Sequence, residues 1–89
     1  MKFQLGTCVA TPGALEALSE TGEQAIPFLR RHARGDWGDL DADDKAENEY
    51  SLTHGLRLLS AYHLSDGTKI WVITEADRSA TTMLLPEEY

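Results

Sequence analysis

The apolar positions of this chain change period along its length. In the first two thirds they recur at helical spacing, and in the last third they alternate. Phe3, Leu5 and Cys8-Val9 read as a short opening strand. Thr11-Pro12 then starts a helix: a threonine side chain can accept from the free N–H groups of a first turn, and proline is tolerated at the first helical position. Leu15 and Leu18 supply its apolar side, and Gly22 ends it. A second helix is expected from about Glu23 to Ala33, with Pro27 in its first turn. Ile26, Leu29, Arg30 and Ala33 form its recurring face with Phe28 beside them, and Gly35 closes it. After a turn-rich linker, Asp41 is the N-cap of a third helix that ends at Gly55, with Asp44 completing a short capping box. Ala42, Ala46, Tyr50 and Thr53 share one face of that helix. Asp43, Asp44, Glu47, Asn48 and Ser51 take the other, solvated one.

From Leu56 the period becomes two. Leu56 to Leu64 is one strand and Ser65-Asp66-Gly67-Thr68 a tight turn. Lys69 to Glu75 is the partner strand, and after a second turn over Ala76 to Ser79, Ala80 to Leu85 is a third. Ile70, Val72 and Thr74 face one way and Trp71, Ile73 and Glu75 the other. Both sets are apolar at the centre, so this strand is expected inside the sheet. The fold class is therefore α+β in the order β-α-α-α-β-β-β. Its C-terminal three-stranded antiparallel meander packs on helices, with strand 1 added at an edge. The 89 residues are expected to form a single domain over 1–89.

Composition narrows the function classes. The chain is 42% apolar and 26% charged, as in a globular protein. No apolar run approaches the roughly 18–20 residues that span a bilayer, and the N-terminus lacks the apolar centre of a secretory signal. The one cysteine, Cys8, has no disulfide partner and reads as a small buried strand residue, so a reducing cytoplasm is the expected location. The net charge of −7 disfavours both nucleic acid and anionic membranes as partners. That charge is concentrated. Residues 36–49 hold Asp36, Asp39, Asp41, Asp43, Asp44, Glu47 and Glu49 against Lys45 alone, and the remainder is close to neutral.

Three groups of residues could carry chemistry. The acidic segment with Trp37 is the candidate partner-binding surface: Asp36, Trp37, Asp39, Asp41, Asp43, Asp44 and Glu47. Trp37 either caps the core between the second and third helices or presents an aromatic anchor to a partner. Asp39, Asp41 and Asp43 have the spacing that opens a calcium loop. The match fails at Asp44, where glycine is needed, and at Tyr50, where a bidentate glutamate is needed. The second group is His63, Glu75, Asp77 and Arg78, dense in polar side chains on one hairpin, where His63 could meet Glu75 or Asp77 as an acid–base pair. The third is Arg30, Arg31 and Arg34, a small basic patch that would serve a nucleic-acid-binding accessory. The three histidines have no zinc spacing and no Gly-rich phosphate loop is present, so neither a metal nor a cofactor is implied. An uncovered edge strand would offer a route to a homodimer.

Several blocks together resemble a family of small proteins encoded on bacterial plasmids, phages and integrative elements, often called plasmid-related proteins. They are His32 with Gly35-Asp36-Trp37-Gly38-Asp39, Leu59-Ser60-Ala61-Tyr62-His63, Asp66-Gly67-Thr68-Lys69-Ile70-Trp71, and Thr74-Glu75-Ala76-Asp77-Arg78-Ser79 with the ending Leu84-Leu85-Pro86-Glu87-Glu88-Tyr89. The resemblance covers most of residues 28–89 and brings no established activity. It implies a bacterial cytoplasm and a mobile genetic element. In that setting the leading expectation is a non-catalytic protein-interaction module that inhibits a host DNA-binding or defence protein. The alternatives are the nucleic-acid accessory and a small enzyme centred on the hairpin cluster.

Overall fold

A computed structural model describes residues 1–89. The elements are β1 (Thr7–Ala10), α1 (Pro12–Thr21), α2 (Ala25–Ala33), α3 (Ala42–His54), β2 (Leu58–His63), β3 (Lys69–Thr74) and β4 (Ala80–Leu84), followed by a 3-10 turn at Pro86–Glu88. The sheet order is β1-β4-β3-β2. The antiparallel meander β2-β3-β4 forms as expected, and β1 joins it at an edge, parallel to β4.

The local stop and start signals act as read, except that the capping box of α3 forms only in half, with no bond from the Asp44 carboxylate back to the Asp41 N–H. Thr11 accepts from the Ala14 N–H and Asp41 from the Asp44 N–H, while Gly22 and Gly55 end α1 and α3 in the left-handed conformation. Leu18, Phe28 and Ala33 turn inward as read, but the rest of each inward face differs from the expected one. In α1 the buried residues are Ala14, Ala17 and Leu18, and Leu15 is exposed. In α2 they are Phe28, His32 and Ala33, and Ile26 is exposed. In α3 they are the polar Asn48 and Ser51, while Ala42, Ala46, Tyr50 and Thr53 face solvent. Each helix is short, and where it crosses the sheet selects its buried stripe. Cys8 is exposed, because β1 lies at the rim beyond the helices' cover. Phe3 and Leu5 precede the strand: Phe3 stacks on Trp37, with ring centroids 6.1 Å apart.

One sheet face carries the core. Tyr62, Ile70, Val72 and Met83 pack against Ala14, Ala17, Leu18 and Phe28. Beside this apolar cluster lies a buried polar chain centred on His32. Its Nδ1 is 2.6 Å from Ser60 Oγ and its Nε2 is 2.9 Å from Thr74 Oγ1. Thr74 Oγ1 is 2.7 Å from Thr81 Oγ1, which donates to the Leu5 carbonyl at 2.7 Å. That last bond fixes the direction of the others. Thr81 spends its proton on Leu5, so Thr74 donates to Thr81 and Nε2–H donates to Thr74. Ser60 then donates to Nδ1. A single neutral tautomer satisfies every member, and burial pushes the His32 pKa down to about 4, with the nearby Arg78 charge adding to the effect.

The outer edge of β2 is closed by two devices. Residues 37–39 run alongside it, with Ala61 N–H donating to the Trp37 carbonyl at 3.1 Å and Asp39 N–H to the Ala61 carbonyl at 2.6 Å. Gly38 permits this approach: its φ is +75°, and a Cβ there would overlap the Ala61 carbonyl oxygen. One step along, the Asn48 carboxamide takes both backbone groups of Leu59, accepting from its N–H at 3.1 Å and donating to its carbonyl at 2.6 Å.

Two outcomes follow. Replacing Asn48 by alanine strands both Leu59 groups and is expected to cost about 2 kcal/mol in urea unfolding; an unchanged midpoint would contradict this role. For His32, the unfolded imidazole binds a proton near pH 6.5 and the folded one only near 4. Its stabilisation is complete above about pH 6.5 and is lost as pH falls towards 4, by about 3 kcal/mol. Unfolding free energies measured across that window should fall in the wild type and lose this slope in His32→Gln.

Candidate interaction surface

The linker and α3 form one unit. Arg31 Nε donates to Asp36 at 2.7 Å and its guanidinium lies 4.5 Å from the Tyr62 ring centre. The Arg31 hydrogen bonds hold Asp36 below the usual carboxylate range. The Tyr62 hydroxyl, its pKa pushed up to about 12 by burial, donates to the Asp36 carbonyl at 2.6 Å. So anchored, the linker turns Trp37 inward. The indole is buried and packs edge-on to His32, and its N–H donates to Glu49 at 2.8 Å. Trp37 therefore caps the core and offers no aromatic anchor to a partner. Asp36 stays half-exposed but is committed to Arg31 and to the Gly38 N–H.

The other acidic candidates remain at the surface. Asp39 meets His63 Nδ1 at 2.7 Å. Asp41 caps α3, and Asp43, Asp44 and Glu47 are exposed along it. A basic nitrogen meets a carboxylate within 4.0 Å at Arg31–Asp36 and His63–Asp39, and none does so at Asp41, Asp43, Asp44 or Glu47. Because α3 docks through Asn48 and Ser51, a different stripe points outward: Asp43, Glu47, Tyr50 and His54, at i, i+4, i+7 and i+11. Tyr50 is 54% exposed and stacks on His54 with ring centroids 3.8 Å apart. These two were missed as surface residues because Tyr50 was assigned to an apolar face that the helix does not bury. The i, i+4 spacing of Tyr50 and His54 was the available signal.

The hairpin cluster does not assemble. The β2–β3 register pairs His63 with Lys69 and Leu58 with Thr74. His63 and Glu75 thus lie at opposite ends of the hairpin, about 20 Å apart at 3.3 Å per residue. Asp77 bonds the Ser79 N–H at 3.0 Å, and the Ser79 side chain foremost lowers its pKa. Arg78 serves the fold. Its guanidinium donates to the carbonyls of Leu56, Glu75, Ala76 and Ser51 at 2.7–3.2 Å, pinning the end of α3 to the β3–β4 turn. To do so it holds a left-handed φ of 62°. Of the basic patch, Arg31 is committed to Asp36 while Arg30 and Arg34 are exposed.

Two shallow clefts flank Arg57. One of about 450 Å³ lies between α3 and the β2 edge, with Asp44, Glu47, Asn48 and Ser51 on one wall and Leu40, Leu56, Arg57 and Leu59 on the other. The second, of about 250 Å³, lies on the sheet face away from the core between Ile73, Leu84 and Tyr89. Tyr89 covers part of that face, edge-on to Trp71 at 5.8 Å, and its hydroxyl accepts from Arg57. Neither cleft brings a nucleophile and a base within hydrogen-bond reach. No three His, Cys, Asp or Glu side chains converge as metal ligands, and Asp39, Asp41 and Asp43 have separate partners or none. No helix is long and apolar enough to cross a membrane.

Comparison with protein-family models finds no match, and neither do comparisons with curated proteins and with solved structures.

Arg78→Gly sets the relief of strain against the loss of the clamp. It relieves the left-handed φ, worth about 1 kcal/mol, but removes charge-assisted bonds to four carbonyls worth more. A net loss of about 2 kcal/mol in chemical denaturation is expected; a variant as stable as the wild type would limit the clamp to about the 1 kcal/mol of strain that it offsets.

Proposed function

We propose that this protein is a non-catalytic interaction module that presents α3 to a basic surface of a protein partner. The stripe Asp43, Glu47, Tyr50 and His54 makes the contact, with Asp41 and Asp44 beside it. The observation that carries this reading is that the carboxylates of Asp43, Asp44 and Glu47 on α3 are exposed, with no basic nitrogen within 4.0 Å, beside an exposed stacked aromatic pair. An uncompensated negative field speeds encounter with a positive partner and orients it. Tyr50 supplies the large, stiff contact that such interfaces rely on. A surface that normally meets phosphates fits this description, so the partner class is a DNA-binding protein of the host cell. Resemblance to mobile-element proteins supplies the setting, and inhibition by occupying the DNA site is the mode of action.

The test is affinity capture from a bacterial host lysate with quantitative mass spectrometry. Wild type is compared with a variant carrying Asp41→Asn, Asp43→Asn, Asp44→Asn and Glu47→Gln, and with Tyr50→Ala. Both variants should lose the same DNA-binding protein, and wild-type capture should fall with added salt. Identical capture by variants whose circular dichroism is unchanged would overturn the proposal.

A further inference from the structure

The two edges of the sheet are treated differently. At β2 the outward N–H and C=O groups of Leu59 and Ala61 are all taken, by Asn48 and by residues 37–39. At β1 nothing covers the edge. Thr7 N–H donates to Ser79 and Thr11 N–H to Met83, both at 3.0 Å. Backbone groups alternate in direction along a strand, so Val9 also faces β4. The N–H and C=O groups of Cys8 and Ala10 therefore point outward. The usual protections of an edge, a charged side chain or a proline within the strand, are absent. No charged residue lies between Lys2 and Glu16, and Val9 is 50% exposed.

We propose that β1 pairs antiparallel with β1 of a second copy of this chain, about a two-fold axis through Val9. Cys8 of each copy then faces Ala10 of the other. The two pairs exchange four N–H···O=C bonds, Val9 packs on Val9, and the sheets join into one of eight strands. A second copy is the occupant for two reasons. The Cys8-Val9-Ala10 edge is its own complement under a two-fold axis, both in donor–acceptor spacing and in its lack of charge. The acidic α3 also docks at the opposite edge, so the pairing leaves the two β2 strands about 34 Å apart, seven strand spacings of about 4.8 Å. That distance exceeds the screening length of about 8–10 Å, so the net charge of each copy opposes the contact little. The same geometry gives a dimer with an acidic stripe at each end.

The interface is small, so it belongs to the weak class and is measured at high protein concentration. Sedimentation velocity from the micromolar to the millimolar range should show a concentration-dependent monomer–dimer equilibrium. Val9→Lys places two like charges on the axis and should weaken association at least about tenfold, with circular dichroism unchanged because Val9 is a surface residue. Cross-linking reads the register. Under mild oxidation the double variant Cys8→Ser, Val9→Cys should form a disulfide dimer, since its cysteines face each other in a non-hydrogen-bonded pair. The native Cys8 pair is diagonal, about 7–8 Å apart, and should not cross-link. A monomer at every concentration, a dimer indifferent to Val9→Lys, or cross-linking through native Cys8 in preference to the engineered position would each overturn the proposal. Capture of a foreign strand at this edge while the chain stays monomeric would overturn it as well. None of these measurements involves α3, so they stand or fall separately from the partner-binding role.

Discussion

The outer edge of β2 sets the terms for everything around it. Leu59 and Ala61 turn two N–H and two C=O groups away from the sheet, and a buried backbone group without a partner is costly. The chain meets this with a three-residue segment and one side-chain amide. From that solution the remaining contacts follow in sequence. The segment can approach only because Gly38 has no side chain. Its position turns Trp37 into the core, and the buried indole N–H requires an acceptor, which Glu49 of α3 supplies. Asn48, one residue before, meets the strand edge. Both contacts hold α3 by its polar side. A helix with almost no apolar stripe is thus fixed by backbone satisfaction rather than by hydrophobic burial.

Behind Trp37, the interior of the sheet uses a polar device of another kind. Ser60, Thr74 and Thr81 stand on three different strands, and one imidazole with its hydrogen-bonded neighbours links them to each other and to the Leu5 carbonyl. Each hydroxyl has one proton and one role, so the chain of donors has a single direction. Sliding any of the three strands by one residue would send its hydroxyl to the other sheet face and break the chain. In a domain this small, with few large apolar residues to enforce register, such a network supplies specificity that a simple apolar core would lack. Its cost is the desolvated His32, and that cost is what couples stability to pH.

Element order and helix ends were legible in the sequence because their signals are local. Thr11-Pro12, Asp41 with Asp44, Gly22, Gly55 and Asp66-Gly67 each act within a few residues. The inward faces were not. Leu15, Ile26 and Tyr50 are apolar residues on correctly placed helices, yet all three are exposed, since a short helix on a narrow sheet buries only the stripe that its crossing position allows. The role of Asn48 depends on a strand eleven residues away, and nothing near it in the chain announces that strand's open edge. The separation of His63 from Glu75 was readable. A hairpin closing at Asp66-Gly67 sets residues whose numbers add to 132 opposite one another, which brings His63 to Lys69 and carries Glu75 to the far end. Polar density along the hairpin obscured that register.

The placement of charge on α3 has a cost of its own. Asp43 and Glu47 are like charges at i, i+4, a spacing that destabilises an isolated helix by a few tenths of a kcal/mol. The helix dipole offsets this for the first-turn acids Asp43 and Asp44, but its effect fades beyond that turn and does not reach Glu47. Cations interspersed at i, i+4 along this face would instead add favourable pairs. Lys45 is the one cation on the helix before its last turn, and it lies outside the stripe Asp43, Glu47, Tyr50 and His54. The fold thus carries an unpaired acidic stripe on the helix that contributes least to its apolar core, where the charge disturbs packing least and is most available to another molecule.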